Sequence, residues 1–310
     1  MSFRPPVGAL LGALLFLVPG AATALEVFTC EPEWAALARA LGGEHIDVRS
    51  AIGPRQDPHY LTARPSFIAR ARRAELLVCS GAGLEAGWLP LLLRQAGNGR
   101  IQPGQPGHFM AAEQVQRLEI PTHLDRREGH IHAQGNPHVH LDPRRLRRIA
   151  DALGARMAEL DPGQATHYAA RTRAFTERLE ATRERLERDT KHLRGLPVVV
   201  HHQHWAYLRD WLGLERVGTL EPRPGVPPTA SHLAALLERL QAQPARMTLR
   251  NPLDPPRPAE WLAARGGPPV VDLPMTVAAD DDLVGLYEIL VERLLQATGP
   301  PGPPGPPGPE

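Results

Sequence analysis

Three histidines of this chain stand at positions that suit a metal ligand. His59 and His138 each follow a proline, and His202 follows the apolar run 197–200. Proline fixes its own φ and favours extended geometry in the residue before it, so the first two histidines are held on stiff loops. Three neutral imidazoles and one further ligand complete the tetrahedral shell of a zinc ion. The pattern therefore predicts one metal site.

The composition agrees with a metal site. The chain has 14 histidines, and five of them fall between His123 and His140. Imidazole is the commonest protein ligand for zinc-like metals, although a solvated polar loop is the alternative for this cluster. The 35 basic and 34 acidic residues nearly cancel. This balance argues against a nucleic-acid binder.

The first 24 residues have the pattern of a cleaved secretory signal. Arg4 supplies positive charge, residues 7–18 are apolar, and residues 22–24 are small. The apolar run is too short to span a bilayer comfortably. Cys30 lacks the small-residue lipobox of a lipid anchor. We therefore expect a periplasmic protein whose mature chain starts at Leu25.

The two cysteines, Cys30 and Cys79, each close a short apolar run. If these runs are adjacent parallel strands, the two sulfurs lie near each other, and export permits a disulfide. Two buried free thiols are the alternative. Thiolate ligation of a metal is disfavoured because the chain has no C-x-x-C spacing.

Residues 25–160 alternate between predicted strands and helices. The strands are 26–30, 45–50 and 76–79, and the helices are 33–41, 65–73, 84–95 and, after the N-cap Asp142, 143–160. Such alternation indicates a parallel sheet, whose ligands gather at the carboxyl ends of the strands. Residues 97–107, rich in glycine and proline, are predicted to form a surface loop.

A second α/β lobe is predicted for residues 195–297. Residues 161–194 before it form one long linking helix, largely exposed because of its Arg/Glu pairs, with a coiled-coil arm as the alternative. The lobe's strands are 197–201, 216–220, 246–249 and 269–273, and its helices are 205–212, 231–241, 258–264 and 282–296. The few Gly-Pro-Pro triplets of the tail 298–310 cannot hold a triple helix, so we expect a disordered tail. The fold class is α/β, with two lobes of mainly parallel sheet and the metal in the cleft between them.

Four stretches around these residues resemble the motifs of a known family. They are Asp57-Pro58-His59-Tyr60 with Arg64-Pro65-Ser66, Gly135-Asn136-Pro137-His138 with Leu141-Asp142-Pro143, His202-x-x-Trp205-x-Tyr207-Leu208 with Gly213-Leu214, and Glu221-Pro222-Arg223-Pro224-Gly225. In this order they resemble the zinc-binding solute-binding proteins of bacterial metal ABC importers. The resemblance implies two lobes joined by a rigid helix, one metal in the cleft, and delivery to an inner-membrane permease.

The resemblance also bears on the metal and on the fourth ligand. Zinc-binding members have a histidine at the position of His202, whereas manganese members usually have a carboxylate there. Imidazole-rich sites favour zinc over manganese. Relatives often take a fourth ligand from a late acidic residue. Asp272 is our candidate because it lies in the last predicted strand, with Asp280 or a water molecule as alternatives.

Other histidines are given secondary roles. His130 and His132 lie on a short loop that either captures metal weakly or is simply solvated. By strand and helix alternation, we expect His140, His201 and His204 to point away from the ligands.

The expected protein is a monomeric zinc carrier without enzymatic activity, whose partners are the permease and, as a further candidate, a periplasmic zinc chaperone. A zinc hydrolase is the main alternative, because catalytic zinc also has three protein ligands. The chain lacks the H-E-x-x-H motif of many such enzymes. A periplasmic zinc chaperone or adhesin without an importer is a further alternative that the sequence leaves open.

Overall fold

The computed structural model describes residues 24–121, 132–223, 225–278 and 282–299. The described residues form two four-stranded sheets with helices around them. All strand pairs in both sheets are parallel. The predicted fold class is confirmed. Residues 1–23 of the predicted signal and 300–310 of the predicted tail lie outside the described residues.

The first sheet has the strand order β2-β1-β3-β4. Its elements are β1 Leu25–Thr29, α1 Pro32–Gly42, β2 Ile46–Ser50, α2 Pro65–Arg73, β3 Leu76–Cys79, α3 Leu89–Ala96 and β4 His108–Met110. The central strands are almost continuously buried, as expected for a parallel sheet covered on both faces.

Two predictions for this lobe were wrong. Strand β4 was missed because it has only three residues and follows a glycine- and proline-rich loop. Helix α3 begins at Leu89 instead of residue 84. Residues 81–83 all have positive φ, so the chain makes a tight turn after β3 and cannot enter a helix there.

Cys30 and Cys79 form a disulfide, with their Cα atoms 4.8 Å apart. Cys30 directly follows β1 and Cys79 ends β3, and these two strands pair with each other. Both cysteines are fully buried. Of the two alternatives that the sequence left open, the structure has the disulfide.

Two helices connect the sheets, α4 Pro143–Leu160 and α5 Ala165–Asp189. Asp142 caps α4 as predicted, accepting a hydrogen bond from the backbone N–H of Arg144 at 2.8 Å. The linking helix α5 is shorter than the predicted 161–194. Short 3-10 turns flank it at 162–164 and 191–193, and the Thr190 hydroxyl bonds back to the Leu186 carbonyl at its end.

Helix α5 is largely exposed, as predicted, but one of its faces is buried. Its side chains Tyr168, Phe175 and Leu179 are buried. They belong to a core that it shares with α4 and with α1 of the first lobe. This packing fixes the linking helix against the lobe that precedes it.

The second sheet repeats the connectivity of the first, with the order β6-β5-β7-β8. Its elements are β5 Pro197–Val200, α6 Ala206–Leu212, β6 Glu215–Thr219, α7 Ala230–Ala242, β7 Met247–Arg250, α8 Pro256–Ala263, β8 Val270–Asp272 and α9 Leu283–Thr298. The predicted elements are all present, with ends shifted by one or two residues.

One hydrophobic core runs through both lobes. It includes Val27 of β1, Val200 of β5 and Leu290 of α9, all of them buried. Helix α9 packs on α5, on β8 and on α1, so it braces the two sheets. Among the described residues, no helix combines the length and the apolar character that a bilayer crossing requires.

Candidate metal centre

The carboxyl ends of strands from both sheets face one cavity of about 570 Å³. Loops after β1, β2, β7 and β8 contribute to its walls. Its histidines are His59, His138, His140 and His204. The sheets thus place the ligand-bearing loops where parallel strands usually gather a ligand.

His59 is held in a fixed orientation by Asp57. Its backbone N–H donates to Asp57 Oδ1 at 2.9 Å, and its ring Nδ1 lies 2.7 Å from the same oxygen. Burial alone would raise the pKa of Asp57, but the hydrogen bonds and charge of His59 outweigh it and lower that pKa. An ionised carboxylate only accepts, so Nδ1 carries the proton and Nε2 is the nitrogen available as a ligand.

His138 is buried, with 7% of its surface exposed. Its backbone N–H donates to Asn136 Oδ1 at 3.1 Å, and Asn136 in turn bonds to the Gln203 carbonyl and the Tyr207 hydroxyl. Burial and the neighbouring imidazoles hold the pKa of His138 well below its usual value. The ring is therefore neutral, which is the form that binds a metal. The centre of the His138 ring lies 6.4 Å from the centre of the His59 ring.

His202 repeats the arrangement of His59 on the second lobe. Its Nδ1 lies 2.5 Å from Glu221 Oε2, and Glu221 also accepts from the backbone N–H of Gly225 at 2.9 Å. A carboxylate bound at Nδ1 again favours Nε2 as the ligand nitrogen. His202 follows β5, and Glu221 follows the neighbouring strand β6.

His204 was predicted to point away from the site, and this prediction was wrong. Its ring lies 5.0 Å from that of His138 and 4.2 Å from that of His202, so it connects the two. Residues 203–205 form a single 3-10 turn, which brings the ring back over its neighbour. Burial and nearby imidazoles lower its pKa well below the usual value.

His140 also lines the cavity, which alternation did not predict. Its Nε2 lies 2.8 Å from the Met275 carbonyl and its Nδ1 lies 3.5 Å from Glu33 Oε1. These contacts tie the loop after β8 to the start of α1. His201 does not line this cavity; burial lowers its pKa to about 4.

The predicted fourth ligand, Asp272, has another partner. Its two carboxylate oxygens accept from Arg250 at 2.6 and 2.7 Å, and the side chain is 40% exposed. Like His202 and His132, it is not among the residues that line the cavity. The alternative, Asp280, lies outside the described residues.

Asp254 is a carboxylate of the cavity that sequence reasoning missed. Burial raises its pKa to about 6, and it accepts from the backbone N–H of Asn251 at 3.1 Å. Its position shortly after the carboxyl end of β7 was the signal that could have found it.

The ring of His132 lies beside the ring of His59. The Nε2 atoms of the two rings are 3.2 Å apart, and their centres are 5.2 Å apart. Its predicted companion, His130, lies outside the described residues. The structure thus brings His132, which was predicted only for weak capture, to a predicted ligand.

Comparison with known proteins gives relatives that cover about two thirds to three quarters of this chain. The high-affinity zinc uptake system protein ZnuA of Yersinia pestis is 23% identical over 264 residues, covering 78% of this chain and 80% of that protein. The zinc-binding lipoprotein AdcA of Streptococcus pneumoniae serotype 4 is 23% identical over 64% of this chain, and the match spans 40% of its length.

A solved structure and a family model also match this chain. The structure is a zinc-bound deletion mutant of ZnuA, which has a TM-score of 0.73 and 23% identity, covering 90% of this chain and all of that one. This similarity shows a common fold. The model for the periplasmic zinc-uptake complex component A matches residues 27–297. The chain therefore belongs to the family of the periplasmic A components of zinc-uptake complexes.

Proposed function

We propose that this protein captures Zn²⁺ with high affinity in the cavity between its lobes and delivers it to the permease of an ABC importer. One observation supports this proposal independently of the family membership. His59 of the first lobe and His202 of the second each have Nδ1 at a carboxylate, Asp57 and Glu221 respectively. Metal-ligating histidines almost always donate their other ring N–H in this way. The same arrangement on both lobes supports a site that both lobes share.

The proposed ligands are His59, His138 and His202. The neutral state of buried His138 supports this choice, because a protonated imidazole cannot bind a metal. Structural zinc sites take four ligands. Asp272, the fourth ligand predicted from the sequence, is instead paired with Arg250 through both carboxylate oxygens.

Zinc is the proposed cargo in preference to manganese. Imidazole nitrogen suits zinc, whereas carboxylate, carbonyl and water oxygens suit manganese. The related structure described above contains zinc, which supports the same choice. A change of His202 to a carboxylate would move the site toward the oxygen-rich type.

The proposed place of action is the periplasm, reached through cleavage of residues 1–24. The protein acts there as a monomeric carrier without catalytic activity, with the permease as its partner. A periplasmic zinc chaperone is proposed as a second partner that loads it.

A zinc titration of chelator-treated protein tests the capture step. We expect one ion per chain. Loss of a residue that supports a ligand typically lowers metal affinity about 10- to 100-fold, and loss of a direct ligand costs more. The affinity of His138→Ala should therefore fall by more than about 100-fold. The exposed His192→Gln is the matched control and should bind like the wild type. Wild-type protein that binds no zinc, or an unchanged affinity in His138→Ala, would contradict the proposal.

A transport measurement tests the delivery step. Vesicles that contain the importer should take up zinc and hydrolyse ATP faster when loaded protein is added. His138→Ala should give no such stimulation at the same total zinc. Equal stimulation by both proteins, or by free zinc alone, would show that this chain is not the carrier.

A further inference from the structure

We propose that His132 is a direct ligand of the bound zinc ion and occupies the fourth position in place of Asp272. The inference rests on the proposed function, since it concerns the same site. It would make the coordination shell one of four imidazoles, from His59, His132, His138 and His202.

The spacing of two ring nitrogens carries the proposal. Two nitrogens bound to one tetrahedral zinc at about 2.0–2.1 Å lie roughly 3.3–3.4 Å apart, and the ring centres lie roughly 5 Å apart. The Nε2 atoms of His59 and His132 are 3.2 Å apart, and the ring centres are 5.2 Å apart. The two rings already have the separation that a shared zinc ion would impose.

The orientation of His59 points the appropriate atom at His132. Asp57 holds the Nδ1 proton of His59, so the Nε2 atom that faces His132 carries a lone pair. Without metal, a proton on His132 Nε2 satisfies this lone pair through an N–H···N hydrogen bond. When zinc takes that position, both Nε2 atoms bind the ion and the proton of neutral His132 resides on its Nδ1.

The His132 ring lies beside the turn after β3. A Cβ added to Gly83 would lie 3.9 Å from His132 Nδ1, and Gly83 has a φ of +88°, which suits glycine. The ring therefore packs next to a backbone segment that the disulfide-bearing strand β3 holds in place.

The competing ligand would need a larger rearrangement. Asp272 makes a two-point ion pair with Arg250. Ligation by Asp272 requires its side chain to leave this position, whereas His132 Nε2 already lies 3.2 Å from His59 Nε2. Four neutral imidazoles also strengthen the preference for zinc over manganese.

X-ray absorption of the zinc-loaded protein, together with a zinc competition titration, tests the inference. The variants are His132→Gln, Asp272→Asn and the exposed control His192→Gln. We expect four imidazoles around zinc in the wild type, three in His132→Gln, and four in both others. The affinity should fall more than about 100-fold in His132→Gln, and by less than about three-fold in Asp272→Asn, because only the former removes a ligand.

The outcomes separate this inference from the proposed function. Zinc that binds tightly with the same imidazole count in His132→Gln would overturn the role of His132 and leave the carrier function intact. Wild-type protein that binds no zinc would overturn both. Side-chain NMR of the wild-type histidines gives a measurement free of folding effects: zinc should shift the Nε2 resonance of His132, and an unshifted resonance would reject the inference.

Discussion

At the level of single residues, carboxylates orient the rings of two proposed metal ligands. Glu221 holds His202 Nδ1 and also the backbone N–H of Gly225, so it fixes both the ring and the segment that carries the carboxylate. Asp57 does the same for the ring and backbone of His59. These contacts fix the orientation of both imidazoles.

Replacing Glu221 by Gln should therefore weaken zinc binding without abolishing it. We expect a loss of about 10- to 100-fold, the range typical of such supporting partners. A chelator competition titration measures it, with the exposed Glu44→Gln as the control. An affinity equal to that of the wild type would mean that Glu221 does not orient His202.

Glu85 is buried beside Glu31. It accepts a hydrogen bond from the backbone N–H of Gly81. Burial raises the pKa of Glu85 from 4.5 to about 7. The folded state thus holds a proton that the unfolded state releases. The stability that this proton contributes is present below about pH 4.5 and is lost as the pH rises through about 7.

Glu85→Gln imitates the protonated form and should keep that stability at high pH. We expect the melting temperature of the variant, relative to that of the wild type, to rise between about pH 5 and about pH 8. Thermal unfolding of the metal-free proteins measures this, with the exposed Glu113→Gln as the control. A difference that stays constant with pH would contradict the raised pKa of Glu85.

The sequence could indicate His59, His138 and His202 because proline and an apolar strand precede them. It could not place His132 or His204 near them, because both positions depend on how loops from different parts of the chain meet. His132 reaches His59 across 73 positions of sequence. Nor could it show that Arg250 holds Asp272, since that contact depends on the register of β7 and β8.

At the scale of elements, long apolar strands and capped helices were predictable. Strand β3 and helix α2 have the predicted bounds because one is fully apolar and the other starts at a proline. Strand β4 was not predictable, since only its pairing with β3 makes its three residues a strand. At the end of α5, the Thr190 hydroxyl donates to the Leu186 carbonyl, a local contact that the sequence pattern did not indicate.

The start of α4 offers a test at this scale, because Asp142 both caps the helix and pairs with Arg144 and Arg145 while fully buried. Asp142→Asn keeps a capping side chain and loses the charge, whereas Asp142→Ala loses both. We expect the Ala variant to be less stable than the Asn variant by about 1 kcal/mol in urea unfolding. Equal stabilities would show that the cap contributes little.

At the scale of the whole molecule, the two lobes form one packed unit. The common core, helix α9, and contacts such as Tyr287 to the His140 carbonyl join them. The hydroxyl of Thr276, after β8, also donates to Glu33 of α1 at 2.6 Å. No proline or glycine interrupts helix α5, so nothing in it provides a hinge.

We therefore expect zinc to order loops with little rotation of the lobes. A ligand shifts an equilibrium only through its different affinity for the two states, and here those states differ in the loops around His59 and after Asp272. Hydrogen exchange should slow in these loops on zinc addition, while the radius of gyration from X-ray scattering stays constant. A clear fall in that radius without loop protection would indicate hinge closure instead.

We expect one zinc ion to bind between the lobes at His59 and His138. Anomalous diffraction at the zinc edge, from crystals of the zinc-loaded protein, tests it most directly. We expect one strong peak per chain in the cavity, about 2.0–2.1 Å from a ring nitrogen of each of the two histidines. A peak elsewhere on the chain, or an empty cavity in a protein that has taken up zinc, would contradict it.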